Sequence, residues 1–327
     1  MKVLVLSKKF TGTYAIIRTM KIPITQSRSW ATLQHSLGEK SFLKTGEGYQ
    51  YLAILKHTPA GNYLYCPYGP CYEEKKHFSQ AISSLTDLAA ENNCIFIRIE
   101  PQDPNFQTYA PKNAKKTKDL NPKETWLLDL TGDDEELKSK LPTRLLRYHK
   151  SAAKKGVTIK SSHNPEEIKH LLTLQKALAS KKGISTYSEE YLRTELSQSF
   201  ATLYLVYYDE AETKQNIIAA GLVFDDEDTR YNLQGAQSDQ GRKLHATGIL
   251  TIQLIMDAKA KGLKTFDFWG IAPEGAPENH PWAGFTNFKK TFEGYEQDYA
   301  GTYDLVLNSV KYKLYRTMRQ LNRTMRH

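Results

Sequence analysis

The chain has 327 residues, 40% hydrophobic and 11% aromatic, with 20 tyrosines, a net charge of +9 and a pI near 9.1. That length suits two domains of average size with real cores, and the positive balance points to an anionic partner: nucleic acid, a phosphorylated substrate or an anionic membrane surface. Three cysteines, Cys66, Cys71 and Cys94, exclude a disulfide framework and a zinc site and fit a reducing cytoplasm. No window approaches the roughly 18 apolar residues of a membrane span, and "MKVLVLSKKF" is too short and too broken by lysines for a secretion signal.

In chain order, Ser29 to Leu37 reads as a short helix with Ser29 as its N-cap. "QYLAILKH" and "NYLYCPYG" read as strands joined by a turn containing Pro59, Gly61 and Asn62. Residues 74–92 place Phe78, Ile82, Leu85, Leu88 and Ala89 on one helical face. "CIFIRIEP" is a strand stopped by Pro101, 102–124 is a polar loop, and "TWLLDLTG" is another strand. From Asp133 to Lys155 the pattern is helical and basic, with Arg144, Arg147, Lys150, Lys154 and Lys155, and Gly156 is its stop. A helix from Pro165 to Ser180 and a polar stretch follow.

The second half repeats the order of the first. "ATLYLVYYD", "NIIAAGLVFDD" and "TRYNLQGAQ" are strands, "ATGILTIQLIMDAKAKG" a helix ending at Gly262, and "KTFDFWGI" a strand. An antiparallel meander, a helix and a strand thus occur twice, which predicts a duplicated α/β unit. After a strand near Tyr303 to Leu307, the carboxy-terminal helix carries Lys311, Lys313, Arg316, Arg319, Arg323 and Arg326 and no acid. The four arginines are three or four apart and share a face, which is either solvated or phosphate-binding.

Nucleophile-elbow, zincin and P-loop motifs are missing from the sequence. His280 sits in a loop. "QGRKLHATG" before a helix could hold a phosphate on free backbone N–H groups, as a coenzyme A-dependent N-acetyltransferase would require, but its glycine spacing is irregular. "RSW" sets Arg28 two residues before Trp30, a pair able to hold a phosphate and stack a base. Glu100 ends its strand either as a cleft acid or base or as an exposed carboxylate.

"ITQSRSW", "YLYCPYGP", "FIRIEP", "TWLLDL", "TRLLRYHKSAAKKGV", "FDFWGIAP", "HPWAGFTNFKKTFEG" and "GTYDLVL" occur in that order. The chain resembles the FemABX family of peptidoglycan bridge-forming aminoacyltransferases over nearly its whole length. The resemblance implies an α/β (α+β) fold of two GNAT-like domains with mixed sheets around a cleft, written as 1–130 plus 300–327 and 131–299. It implies transfer of an amino acid from aminoacyl-tRNA to the stem peptide of a peptidoglycan precursor, lipid II or its UDP-linked form. No cofactor or metal is implied, because the donor ester is already activated. A cytoplasmic protein is expected, with peripheral contact to the anionic inner face of the plasma membrane. Residues 160–200 leave no room for the two-helix arm of some members.

By the same resemblance, Phe288 and Lys289 match a Phe-Lys pair implicated in transfer, and Glu100 an acid once considered as a base. Arg28, Trp30, Tyr68, Tyr191 and Trp269 fall to precursor binding, and Lys290, Arg144, Arg147 and Lys150 to tRNA. An arginine expected four residues before Tyr191 is Tyr187 here, with Lys181 or Lys182 as substitutes for the diphosphate clamp. Substrate assistance is favoured for removing the amine proton, since no histidine stands out as a base. The rivals are a coenzyme A-dependent acetyltransferase and a non-catalytic tRNA- or membrane-binding protein.

Overall fold

The structure, a computed structural model, describes residues 20–182, 186–210, 214–280 and 282–324. The amino-terminal decapeptide and Arg326 lie outside these residues, as do the side chains of Lys182 and Arg323. A 3-10 turn, Ile24–Gln26, leads into α1 (Arg28–Ser36), β1 (Ser41–Gly46), β2 (Tyr49–Lys56), β3 (Asn62–Cys66), β4 (Cys71–Tyr72), α2 (Lys75–Glu91), β5 (Cys94–Ile99), β6 (Ala114–Lys116) and β7 (Glu124–Asp129). Then come α3 (Asp134–Ser139), α4 (Thr143–Ser151), β8 (Val157–Ser162), α5 (Ile168–Lys182), α6 (Glu189–Leu196), β9 (Ala201–Glu210), β10 (Lys214–Asp226) and β11 (Thr229–Gln237). The chain closes with α7 (Asp239–Lys243), α8 (Ala246–Ala260), β12 (Thr265–Gly270), α9 (Ala283–Lys289), β13 (Tyr295–Asp298), β14 (Tyr303–Val306) and α10 (Ser309–Thr324).

The strands form two mixed sheets, ordered β1-β2-β3-β5-β14-β6, with β4 beside β2, and β8-β9-β10-β11-β12-β7-β13. The expected duplication is visible in this order. In each sheet an antiparallel hairpin, β2–β3 or β10–β11, feeds a helix, α2 or α8, and then a strand parallel to the hairpin's second strand, β5 or β12. Each unit then adds a short edge strand to its own sheet, β6 or β13, and sends its last strand into the other sheet. There β7 lies between β12 and β13, and β14 between β5 and β6. The strand "TWLLDL", assigned above to the first domain, is therefore hydrogen-bonded into the second sheet.

Helices cover both faces of the second sheet. On one, α4 and α8 pack over Phe266, Phe268 and Phe292; on the other, Leu171, Leu192 and Leu196 of α5 and α6 bury Leu203, Leu222 and Phe224. α8 lies between sheet and α4, so it is apolar all round, and a Cβ on Gly248 would come 2.6 Å from Leu145 Cδ2. In the first sheet α2 covers Ile97 and Ile99, and α10 covers Phe96 on the opposite face through Tyr312 and Tyr315.

Three local expectations change. Ser27, not Ser29, caps α1, accepting from Trp30 N, while Ser29 donates to Asp226 at 2.7 Å. The helix over 133–155 breaks into α3, α4 and a 3-10 turn, because Pro142 cannot continue α3 and its ring disfavours helical geometry at Leu141. The loop 102–124 contains β6, whose partner β14 arrives from the far end of the chain. Gly156 and Gly262 do end their helical segments, at φ 70° and 78°.

Candidate active site

The centre of the second sheet opens where its one parallel pair parts. β11 and β12 pair from Thr229–Thr265 to Tyr231–Asp267, after which β11 runs on alone to Gln237. The register of β12 against β7 also slips between Asp267 and Gly270. In that slip Trp269 takes φ 66°, a left-handed backbone rare for an aromatic residue, and its N–H donates 2.7 Å to Asp267. Asp267 is 4% exposed, and burial raises its carboxyl pKa to about 6 against the weaker pull of the Trp269 amide, Lys21 and Lys289.

Lys289 ends α9. Its Nζ donates 2.6 Å to Gly270 O, and burial lowers its pKa to about 8, with Asp267 pulling it back up. Thr286 anchors the helix by accepting from Ala272 N at 2.8 Å and donating to Trp282 O at 2.9 Å. Phe288 turns into the core against Phe292, ring centroids 5.5 Å apart, while Phe285 and Trp282 are 49% and 40% exposed. Phe288 therefore supports α9 from the core, and the exposed rings of the "HPWAGFTNF" stretch are Trp282 and Phe285. His280 accepts from Trp282 N at 3.1 Å, so it shapes this loop; Pro281 lies outside the described residues.

Tyr68 meets Trp269 edge-to-face at 5.6 Å and Tyr299 at 4.5 Å, and its hydroxyl donates 2.7 Å to Pro122 O. It too has a left-handed backbone, φ 49°. Tyr231 also meets Trp269 edge-to-face, at 6.3 Å, and its hydroxyl accepts from Ile24 N. Gln26, two residues on, bonds Leu52 and Pro67 of the first half. The stretch 24–27 thus ties the two sheets together beside the aromatic group.

Trp30, Tyr191 and Trp269 pack against one core cluster of the second sheet. Trp30 lies edge-on to Phe224 at 6.4 Å, and its buried Nε1 has no partner. Arg28 is exposed at the start of α1. Tyr187, at the position of the missing arginine, stacks on Tyr191 at 4.9 Å, so a ring stands where a cation was sought. Lys181 is paired to Asp239 at 2.6 Å. Beneath Tyr191, Glu195 is 2% exposed, and burial pushes its pKa up to about 8 while Tyr191 and Gln234 draw it down.

Glu100 is not an exposed carboxylate, because it does not face solvent. It is 2% exposed, and its carboxylate accepts from Tyr65 Oη, Tyr68 N, Asn121 N and Nδ2, and Thr302 Oγ1, at 2.7–3.3 Å. With its lone pairs so engaged, it holds three loops to the end of β5.

Arg144, Arg147 and Lys150 lie exposed along α4, over the face of the second sheet opposite Trp30 and Tyr191. Arg147 and Lys150, with Thr143, Leu146, Ser151 and Lys154, line an open pocket of about 480 Å³. Tyr148 stacks on His245 at 4.4 Å with the Arg144, Arg147 and Lys155 cations 5.5–6.0 Å from its ring. Lys290 is held by Glu296 at 3.2 Å and lies over Trp126. The "QGRKLHATG" segment forms no open phosphate cradle. Ser238 caps α7, Tyr148 covers His245 at the start of α8, and Leu145 lies against Gly248.

Asp267 escaped the sequence reading, as did Glu195. The signal for Asp267 was a lone acid between two phenylalanines in "TFDFWG", a carboxylate committed to a buried strand.

No curated protein matches the chain in sequence. Residues 205–320 match the FemAB family. Among solved structures, one described as FemX shares the fold with a TM-score of 0.76 at 17% identity, covering 89% of this chain and 94% of that one. The carboxy-terminal domain of a putative lysylphosphatidylglycerol synthetase from Agrobacterium fabrum follows at 0.58 and 16%, covering 90% and 93%. L-PGS from Bacillus licheniformis stands at 0.56 and 14%, covering 93% and 99%. The segment that matches the FemAB family carries α8, β12, Asp267 and Lys289, and it sits within a fold that the chain shares with FemX.

Proposed function

We propose that the protein transfers an aminoacyl group from aminoacyl-tRNA to the stem-peptide amine of a peptidoglycan precursor. The observation that carries this reading is that buried Asp267, on β12 beside the parting from β11, and the Lys289 ammonium, bonded to Gly270 O at the end of the same strand, lie within Coulomb reach of each other, next to the rings of Tyr68 and Trp269. A proton acceptor and a cation thus lie near each other where the pairing of β12 with its neighbours lapses.

The chemistry follows from the two charges. Near neutral pH, Asp267, with a pKa of about 6, is mostly a carboxylate, and Lys289, at about 8, is mostly an ammonium. The acceptor nitrogen attacks the ester carbonyl and becomes acidic as its C–N bond forms; Asp267 takes that proton. The Lys289 ammonium stabilises the oxyanion of the tetrahedral intermediate. As the intermediate collapses, the C–O bond to ribose breaks and the proton passes from Asp267 to the departing ribose oxygen. An ester and an amine become an amide and a hydroxyl, with no change in oxidation state.

The two sides of the second sheet separate the substrates. Arg144, Arg147 and Lys150 on α4 receive the tRNA backbone, and the Tyr148–His245 stack offers a platform for a base. Trp30, Tyr187 and Tyr191 on the opposite side receive the precursor, with Arg28 beside them.

The test supplies a mixture of charged tRNAs with UDP-linked precursor, lipid II or phosphatidylglycerol, and identifies products by mass. A new amide on the stem peptide supports the reading, and Lys289→Met should abolish it in a protein that still folds. Acylation of phosphatidylglycerol alone, or undiminished transfer by Lys289→Met, would refute it.

A further inference from the structure

α10 has an inner face that is fixed and an outer face that is not used. On the inner face, Tyr312 Oη bonds Asp304 at 2.9 Å, and Asp304 is held bidentate by buried Arg98 at 2.7 and 2.9 Å. Tyr315 packs on Phe96, ring centroids 4.9 Å apart. These contacts set the rotation of the helix. They leave Val310 80% exposed, Leu314 52% and Leu321 58%. The three are separated by four and seven residues, so they form one apolar stripe on the outside of the helix.

Cations frame the stripe. Lys311, Lys313 and Arg316 are exposed on α10, and the chain contains no acid after Asp304. The edge strand β6 adds exposed Lys115 and Lys116; the Lys115 ammonium lies 5.5 Å from the Tyr312 ring, which puts this lysine on the flank of α10. Among the described residues none of these five cations is paired to a carboxylate.

We propose that α10, with the β6 edge beside it, docks the protein on an anionic lipid surface. An amphipathic helix lying along a bilayer buries its apolar stripe at the boundary between headgroups and acyl chains, and its flanking cations meet the lipid phosphates. An RNA would engage the cations but gain nothing from three exposed aliphatic side chains. A second copy of the chain would bring two unpaired cationic fields together. The lipid surface satisfies both parts of the pattern. The inference does not rest on the transfer reaction.

The experiment is sedimentation of the full chain with vesicles of phosphatidylcholine, alone or mixed with phosphatidylglycerol. Binding to the mixed vesicles only is expected. It should fall about tenfold or more in Leu314→Glu/Leu321→Glu and in Lys313→Glu/Arg316→Glu, since each cation and each buried apolar group contributes separately. Both variants alter exposed positions, and an unchanged thermal midpoint would show that they fold. Transfer to a soluble acceptor should be unchanged in both, so a failure here is distinct from a failure of the proposed reaction. Equal sedimentation of wild type and variants would overturn the proposal. So would a concentration-dependent dimer lost in the leucine variant, or tRNA binding lost in the arginine variant while vesicle binding persists.

Discussion

Glu100 and Asp267 hold nearly the same position in the two copies of the repeated unit. Each lies on or just past the strand that follows the helix, where the parallel neighbour leaves: after the Cys66–Ile99 pair in one sheet and at the Tyr231–Asp267 pair in the other. Both are buried, at 2% and 4% exposure. Their surroundings differ. Glu100 is bonded by Tyr65, Tyr68, Asn121 and Thr302, which tie the loops that it joins. Asp267 receives the Trp269 amide and faces a lysine that is itself depressed by burial. Duplication supplied the same opening twice. One copy was filled with hydrogen-bond donors and became a structural lock; the other kept a carboxylate whose charge is only partly compensated. Burial alone therefore does not separate the two acids; the number of donors around each does.

The strongest way to break this comparison is to neutralise both acids. Asp267→Asn should lower transfer about a hundredfold or more. Transfer by the unmodified protein should follow a bell, with a limb near pH 6 from Asp267 and a limb near pH 8 from Lys289. Activity needs the first deprotonated and the second protonated, so it rises through the lower value and falls through the upper. The variant should lose the acidic limb. A residual limb near pH 6 in Asp267→Asn would assign that titration elsewhere. Glu100→Gln should leave both limbs in place and instead destabilise the fold by about 1.5–3 kcal/mol in denaturant titration, the cost of weakening buried charge-assisted bonds. A stability equal to wild type would remove the lock.

A smaller effect sharpens the picture at the precursor side. Trp30→Phe keeps a ring against Phe224 but removes the buried, unpartnered Nε1 donor. The acceptor KM should rise about fivefold at constant kcat, as expected for one hydrogen bond; an unchanged KM would detach Trp30 from the acceptor. The smallest effect concerns Glu195, whose pKa is raised from 4.5 to about 8. The folded state then binds more protons than the unfolded state between those values, so stability falls as pH rises through that window. Thermal midpoints of Glu195→Gln should show a flatter decline between pH 5 and 8 than wild type, and parallel curves would contradict the shift.

The repeated order of elements was readable from the chain because hydrophobic period and turn chemistry are local. The α2 face of Phe78, Leu85 and Ala89, the strands around Leu64 and Phe266, and the stops at Gly156 and Gly262 all follow from neighbours a few residues away. The motif around Lys289 marks it as a candidate from sequence alone. The exchange of β7 and β14 between sheets was not readable, since a strand's own pattern specifies that it is buried, not which sheet buries it. The same limit hid the difference between Glu100 and Asp267. The donors that quiet Glu100 come from Tyr65, Asn121 and Thr302, 35, 21 and 202 residues away, and the lysine that faces Asp267 comes from α9. The sequence by itself determined the elements, the duplication and the excess of positive charge, because each is a property of short stretches or of their sum. Tertiary structure alone decided which carboxylate is satisfied and which is poised, because a buried charge is tuned by whatever the fold brings within hydrogen-bond or Coulomb reach.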